Sequence, residues 1–192
     1  EPNKSCCDKC RKEFPEMPLV RYATGGYICT SPFPYDGIFR RAVLNFKFHN
    51  CGAYAELLSH EMVRSIKDVY RDRKFDLVTC VPMHKDTLRE RGYNQAELLA
   101  KECARLLGIE YANLLAKTKK NKTQHSIKAA ERVKNVIGVY SPIDKNLIKG
   151  KRILIIDDII TTGSTLGECA RILNKCKCGE ICCCTLCTSL LI

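Results

Sequence analysis

The sequence of 192 residues lacks several features that would assign it to a common class. It contains neither G-x-x-x-x-G-K-[ST], the phosphate-binding P-loop, nor G-x-G-x-x-G, the dinucleotide-binding fingerprint. No apolar run approaches the roughly 20 residues that cross a bilayer, so we expect no membrane insertion. Internal repeats, low-complexity segments and a signal-peptide pattern are also missing. These absences leave a chain long enough for one sizeable core, with room for a small appendage.

Cysteine is abundant, with 14 residues. Such a number is typical of disulfides in secreted proteins, but with no export signal we favour reduced thiols and a cytoplasmic location. Near the C-terminus six cysteines cluster, which leaves open a metal site or simple packing. We favour packing, because Ile181–Leu186 has a strand pattern and cysteine behaves as a small buried hydrophobe. The six are Cys176, Cys178, Cys182, Cys183, Cys184 and Cys187.

Positive charge is in excess, with a formal net charge of +11. The segment from Lys117 to Lys134 contains seven Lys or Arg and one acid, Glu131. A segment of this kind binds pyrophosphate, a polyanion such as DNA, or only water. Charge alone does not choose between them.

Five of the seven prolines fall within residues 1–34. We therefore predict a small, irregular, Cys-containing segment over 1–34 and an α/β domain over 35–192. In the second region strand and helix patterns alternate, which predicts a mostly parallel sheet with helices on both faces. We expect helices over 52–70, 93–107 and 164–174, a further helix ending at Val133, and strands over 75–81, 113–116, 136–140, 153–156 and from Ile181.

The most informative segment is residues 153–165. An apolar run, Ile153–Ile156, predicts a buried strand, and Asp157 and Asp158 follow at its carboxyl end, where open α/β sheets bind ligands. The next turn contains Thr161, Thr162, Gly163, Ser164 and Thr165. Hydroxyls and backbone N–H groups at a helix N-terminus bind phosphate. A ribose phosphate fits this segment, with its hydroxyls on the carboxylates and its 5′-phosphate on the turn.

This segment resembles the phosphoribosyl-pyrophosphate (PRPP) motif of type I phosphoribosyltransferases. A second element, Arg89-Glu-Arg-Gly-Tyr-Asn-Gln95, together with Val81-Pro82 and the residues around Lys122–Gly138, resembles the ComF family, which includes GntX-like proteins. That family is phosphoribosyltransferase-like and is associated with DNA uptake in bacterial competence. The resemblance covers most of the chain from about Tyr35 and implies a type I phosphoribosyltransferase fold.

The resemblance also implies roles for particular residues. Asp157 and Asp158 would face the ribose as the catalytic carboxylates, and the turn 161–165 would hold the 5′-phosphate. The PRPP-binding residues implied upstream are Pro82, Met83, His84 and Lys85, beside the pyrophosphate, with Arg89, Arg91 and Lys47. For the two arginines a solvated helix surface is the alternative to a bidentate phosphate contact. Mg²⁺ would accompany PRPP and be held mainly by substrate oxygens.

Proteins of the ComF family usually carry a zinc ribbon of paired C-x-x-C knuckles. Here the resemblance identifies Cys7, Cys10 and Cys29 as zinc ligands, an incomplete set for a structural site that needs about four. Either a further knuckle precedes Glu1 or the pair is vestigial. His49 or Cys51 could supply the fourth ligand.

Two functions follow from the sequence. In the first, the protein is an active phosphoribosyltransferase that acts in or near DNA uptake. In the second, the same fold serves as a non-catalytic regulatory module that binds PRPP, a nucleotide or single-stranded DNA. A DNA-uptake helicase or single-stranded DNA is the expected macromolecular partner in either case. Fold does not decide between these functions.

Overall fold

Strands and helices alternate along most of the chain in a computed structural model, which describes residues 7–48, 53–119 and 136–189. The strands are β1 (Leu19–Ala23), β2 (Tyr27–Ser31), β3 (Phe33–Pro34), β4 (Leu77–Cys80), β5 (Glu110–Tyr111), β6 (Leu115–Lys117), β7 (Tyr140–Pro142), β8 (Arg152–Ile160) and β9 (Glu180–Thr188). The helices are α1 (Asp8–Arg11), α2 (Gly37–Phe48), α3 (Ala53–Val69), α4 (Lys85–Arg91), α5 (Gln95–Leu107), α6 (Lys145–Ile148) and α7 (Ser164–Lys175). The predicted helix ending at Val133 lies outside the described residues.

The main sheet has the strand order β1-β2-β9-β8-β4-β5, with β3 also paired to β9. Every pair in it is parallel except β1 with β2. Strands β6 and β7 form a separate antiparallel ribbon. The predicted mostly parallel sheet is therefore confirmed. Its parallel strands bring the loops that follow β4 and β8 to one edge.

Helices cover both faces of this sheet, as predicted. Strand β8 illustrates the division, because Leu154 and Ile156 pack on the face covered by α2, α3 and α5, whereas Ile153 and Ile155 pack on the face covered by α7. All four side chains are fully buried. A continuous apolar run is what a strand buried on both faces requires.

The cysteines of β9 are core residues. Cys182, Cys184 and Cys187 lie on one face of the sheet and Cys183 on the other, and all four are fully buried. Burial raises the pKa of each of these thiols. Their burial in the core confirms the prediction of packing for this strand.

The chain before Tyr35 contributes to the main sheet, contrary to the predicted separate segment over residues 1–34. Strands β1 and β2 form a hairpin across Gly25 and Gly26, which both have positive φ. Strand β2 then pairs with β9, from Cys29 opposite Cys183. The prolines of this segment that the structure describes, Pro15, Pro18, Pro32 and Pro34, lie outside β1 and β2, so they do not interrupt the hairpin.

Candidate active site

A cavity of about 260 Å³ lies at the carboxyl edge of the main sheet, beyond the ends of β4 and β8. We call it the carboxyl-edge cavity. It is lined by Val81, Pro82, Met83, His84, Thr87, Arg91, Asn94, Gln95, Ala96, Lys117, Tyr140, Asp157, Asp158 and Thr165. Half of the residues predicted for catalysis and PRPP binding, seven of fourteen, thus meet at one place, as the parallel topology requires.

Asp157 and Asp158 lie within β8 rather than after it, because β8 stays paired with β9 as far as Ile160 opposite Thr188. The backbone N–H of Asp158 donates to the Asp157 carboxylate at 2.9 Å. Burial, and next the adjacent charge of Asp158, raise the pKa of Asp157 to about 8. The two carboxylates therefore lie in a site that opposes the ionisation of Asp157.

Lys47, at the end of α2, pairs with this acidic couple. Its Nζ lies 2.7 Å from Oδ2 of Asp158, and the two side chains are only 19% and 17% exposed. Lys47 was predicted as a PRPP-binding residue, and the structure brings it to the acidic couple from the opposite end of the sequence. The resulting ion pair is shielded enough to resist screening by salt.

The turn 161–165 connects β8 to α7. Gly163 has φ +74°, and a Cβ there would lie 2.7 Å from Cα of Ala23 in β1, so a side chain has no room. The hydroxyls of Thr162 and Ser164 are 2.8 Å apart. Of the five residues of the turn, Thr165 lines the carboxyl-edge cavity, and Ser164 lines a neighbouring pocket with Tyr27. The turn leads into the 12-residue α7, whose first N–H groups are those that bind anions.

The loop after β4 forms the opposite wall. Pro82, Met83 and His84 line the cavity, and Nδ1 of His84 accepts a hydrogen bond from the backbone N–H of Asp86 at 3.3 Å. His84 is thus the N-cap of α4.

Helix α4 divides the predicted basic residues. Arg91, at its end, lines the cavity, whereas Lys85 and Arg89 do not. Arg89 is 79% exposed, and its guanidinium lies 4.0 Å from Asp86. For Arg89 the structure favours the solvated alternative.

Sequence reasoning did not assign Lys117 and Tyr140 to the site. They come from β6 and β7, and Nζ of Lys117 lies 5.6 Å from the centre of the Tyr140 ring. Burial lowers the pKa of Lys117, while the charge of Asp157 opposes this shift. Lys117 begins the basic segment for which the sequence left pyrophosphate binding open, and it lines the cavity. Residues 120–135 of that segment lie outside the described part of the chain.

The predicted zinc ligands do not come together. Cys7 and Cys10 border a pocket of about 210 Å³ with Phe14 and Phe33, on the face covered by α2 and α3. Cys29 is fully buried on the opposite face, where its thiol lies 3.9 Å from the Thr185 hydroxyl. The pairing of β2 with β9 fixes Cys29 there, so it is not a ligand with the other two.

The chain matches the family model of the phosphoribosyl transferase domain over residues 94–190. It is 32% identical over 180 residues to competence protein F of Haemophilus influenzae, spanning 91% of this chain and 75% of that protein. The chain belongs to the competence protein F (ComF) family. This membership confirms the resemblance on which the site residues were predicted.

Other ComF-related proteins are matched over shorter parts. Competence protein ComFC of Bacillus subtilis is 31% identical over 79% of this chain and 60% of its own length. The DNA utilization protein YhgH of Escherichia coli is 30% identical over 52% of this chain and 44% of its own length. The chain thus spans less than two thirds of both proteins.

Solved phosphoribosyltransferase structures are similar at lower identity. A Bacillus subtilis glutamine PRPP amidotransferase complexed with ADP and GMP has TM-score 0.47 and 19% identity, over 69% of this chain and 26% of that one. An adenine phosphoribosyltransferase of Saccharomyces cerevisiae has TM-score 0.41 and 16% identity, over 90% and 83% of the two chains.

Within the described residues, no helix has the length and apolar character needed to cross a membrane.

Proposed function

We propose that this ComF-family protein binds PRPP, or another ligand containing ribose 5-phosphate, in the carboxyl-edge cavity. The observation that carries the proposal is that an acidic pair, Asp157 and Asp158, lines the same cavity as Thr165 of the hydroxyl-rich turn 161–165, at the start of α7. Carboxylates accept hydrogen bonds from a ribose diol, and the N-terminus of α7 suits the 5′-phosphate. The positive groups at the cavity suit the pyrophosphate group of PRPP.

Positive groups lie around the carboxylates. Arg91 and Lys117 line the cavity, and Lys47 contacts Asp158. The pyrophosphate group would lie toward Arg91, Lys117 and the backbone of Pro82–Lys85. In this position the cations offset charge that accumulates as pyrophosphate departs, while the carboxylates stabilise the electron-poor ribose C1.

The reaction proposed for the site is phosphoribosyl transfer. The bond between ribose C1 and the pyrophosphate oxygen breaks, its electron pair leaves with pyrophosphate, and a nucleophilic acceptor forms the new bond to C1. The aromatic ring of Tyr140 at the cavity wall offers a surface for a planar acceptor. The identity of the acceptor is to be found by screening.

The residues present fit Mg²⁺ bound together with PRPP. Asp157 and Asp158 offer carboxylate oxygens, which Mg²⁺ prefers, but no group of three or more acidic, His or Cys side chains surrounds them within the described residues. Phosphate oxygens of the ligand would therefore complete the coordination. When bound, Mg²⁺ neutralises charge on the pyrophosphate leaving group.

A calorimetric titration with PRPP and Mg²⁺ tests the proposal. We expect binding by the unaltered protein, strong weakening in Asp157→Asn/Asp158→Asn, and no change in Asp72→Asn, an exposed aspartate between α3 and β4. No binding by the unaltered protein, or equal binding by the double variant, would refute the site. Turnover is then measured as PRPP-dependent pyrophosphate release with each of a panel of nucleobases.

A second candidate is a non-catalytic module that binds single-stranded DNA during DNA uptake. It is favoured by two exposed basic residues of α4, Lys85 and Arg89, and by the names of the relatives. Affinity for single-stranded DNA should then fall steeply with salt, and Lys85→Ala/Arg89→Ala should reduce the slope. PRPP binding without pyrophosphate release would favour this candidate, which would act beside a DNA-uptake helicase in the cytoplasm.

A further inference from the structure

Three consecutive residues beside the carboxyl-edge cavity have side chains that bind backbone atoms of neighbouring elements. They are Tyr93 and Asn94, between α4 and α5, and Gln95, the first residue of α5. We infer that Tyr93 and Gln95 are positioning residues that hold the end of α2 so that Lys47 contacts Asp158. The inference rests on the proposed function for its consequence in PRPP binding, but the contact itself exists without a ligand.

Both side chains bind the last turn of α2. The Tyr93 hydroxyl donates to the carbonyl of Phe46, and Nε2 of Gln95 donates to the carbonyl of Lys47 at 3.3 Å. The last carbonyls of an α-helix have no partner within the helix. These two side chains thus cap the C-terminus of α2 and fix the backbone from which the Lys47 side chain extends.

Lysine needs such an anchor because its long side chain has many rotamers. Ordering it costs about 2 kcal/mol of rotamer entropy, and a loose helix end would add backbone freedom to that cost. In the structure, Nζ of Lys47 lies 2.7 Å from Asp158. Gln95 is 1% exposed, so water does not compete for its bond to the Lys47 carbonyl. These hydrogen bonds therefore hold the backbone of Lys47, the residue whose charge pairs with Asp158.

The third residue makes the same kind of connection on the other side. Nδ2 of Asn94 donates to the carbonyl of Val81 at 3.1 Å, and its Oδ1 accepts from the backbone N–H of Ala96 at 3.2 Å. Asn94 therefore caps α5 and holds the start of the loop that contains Pro82. The three residues together join α2, α5 and the loop after β4 around one cavity.

The positioning of Lys47 has a consequence for the proposed binding of PRPP. Lys47 offsets the charge of Asp158 in the ligand-free protein, and Asp158 lines the cavity in which we propose that PRPP binds. If the end of α2 is not held, the Lys47 side chain samples other rotamers. It then loses its contact with Asp158 and its contact with the ligand. Loss of the two donors should therefore weaken PRPP binding by no more than loss of the Lys47 charge does, and through the same atom.

The variants that test this are close in shape to the original side chains. Tyr93→Phe removes only the hydroxyl and keeps the ring contact with Phe46, whose centroid is 6.3 Å away. Gln95→Met keeps length without the donor. Tyr70→Phe is the matched control, because the Tyr70 hydroxyl also donates to backbone carbonyls, those of Ile28 and Cys183, away from Lys47.

The first readout needs no ligand. In ¹⁵N NMR of the lysine ammonium groups at low temperature, the Lys47 signal, assigned by its loss in Lys47→Met, should be visible because its ion pair slows exchange. We expect it to vanish in Tyr93→Phe/Gln95→Met and to persist in Tyr70→Phe. A signal that persists unchanged in the double variant would overturn the inference.

The second readout is a cycle of PRPP affinities. We expect Tyr93→Phe/Gln95→Met to weaken binding about tenfold, Lys47→Met to weaken it at least as much, and the triple variant to match Lys47→Met. Losses that multiply in the triple variant would mean that the two donors do not act through Lys47. Absence of PRPP binding in the unaltered protein would refute the proposed function alone, since the NMR result still decides the inference.

Discussion

The raised pKa of Asp157 predicts that an amide at this position stabilises the ligand-free protein at neutral and alkaline pH. The folded protein holds a proton on Asp157 up to a pH of about 8, whereas an aspartate in an unfolded chain releases it near pH 4. Between these values the folded state binds more protons, so its free energy of unfolding falls as the pH rises. Asp157→Asn removes this loss.

The pH range between the two pKa values limits the change in the free energy of unfolding. One proton changes the unfolding free energy by at most about 1.4 kcal/mol per pH unit, which gives about 6 kcal/mol as the upper limit. Asp157 lines a cavity large enough to admit water, and Lys47 and Lys117 favour its ionised form. We therefore expect Asp157→Asn to be more stable than the unaltered protein by about 2 kcal/mol at pH 8, with almost no difference at pH 4.5.

The assay is urea unfolding followed by circular dichroism at half-unit steps from pH 4.5 to 8.5. The exposed Asp72→Asn is the control and should give a difference that stays near zero throughout. A difference between Asp157→Asn and the unaltered protein that does not grow with pH would refute the reasoning. So would an Asn variant that is less stable at pH 8.

Three further predictions concern the elements around the site. Asp76→Asn should lower the urea midpoint at pH 7, and less so below pH 4, because bonds from Arg152 hold the Asp76 pKa below its usual value. Gly167→Ala should lower the free energy of unfolding by about 2 kcal/mol in the same assay, since a Cβ would lie 2.3 Å from the Thr24 carbonyl oxygen. Asn94→Ala should cost about 1 kcal/mol of unfolding free energy, because it removes the cap of α5 and the donor to the Val81 carbonyl.

The parts of the site predictable from sequence are those encoded locally. The apolar run Ile153–Ile156 identifies a buried strand, and the acids and hydroxyls after it identify a ligand edge. Helix α5 can also be predicted from the sequence, because its apolar residues recur every three or four positions. Gly108, with φ +68°, ends it. These patterns depend on neighbours in sequence and therefore survive without knowledge of the fold.

The parts that escaped prediction depend on long-range pairing. Strand β2 joins the sheet only because Cys29 pairs with Cys183, across more than 150 residues. The same pairing removes Cys29 from the predicted zinc set. Strand β8 extends through Asp157 and Asp158 because β9 continues alongside it. The length and the register of a parallel pair depend on both strands, so neither can be predicted from one strand alone.

Lys117 and Tyr140 show the same principle at the site itself. Each lies on a short strand of the antiparallel ribbon. Lys117 begins the basic segment, which alone does not identify a ligand, and Tyr140 has no local signal for ligand binding. The ribbon carries them to the cavity, where Lys117 adds positive charge opposite the Asp157 carboxylate. A residue whose role depends on which distant element faces it cannot be assigned from its own neighbourhood.

The motif around Tyr93 explains why a ComF-family site needs more than an acidic pair and a phosphate turn. Strand β8 and the turn 161–165 are consecutive in sequence, but Lys47 comes from α2, far earlier in the chain, and contacts β8 through its side chain. Tyr93 and Gln95 bind the end of α2, and Asn94 binds the start of the loop after β4. The sequence element that identifies the family is thus the one that joins separately encoded parts of the cavity.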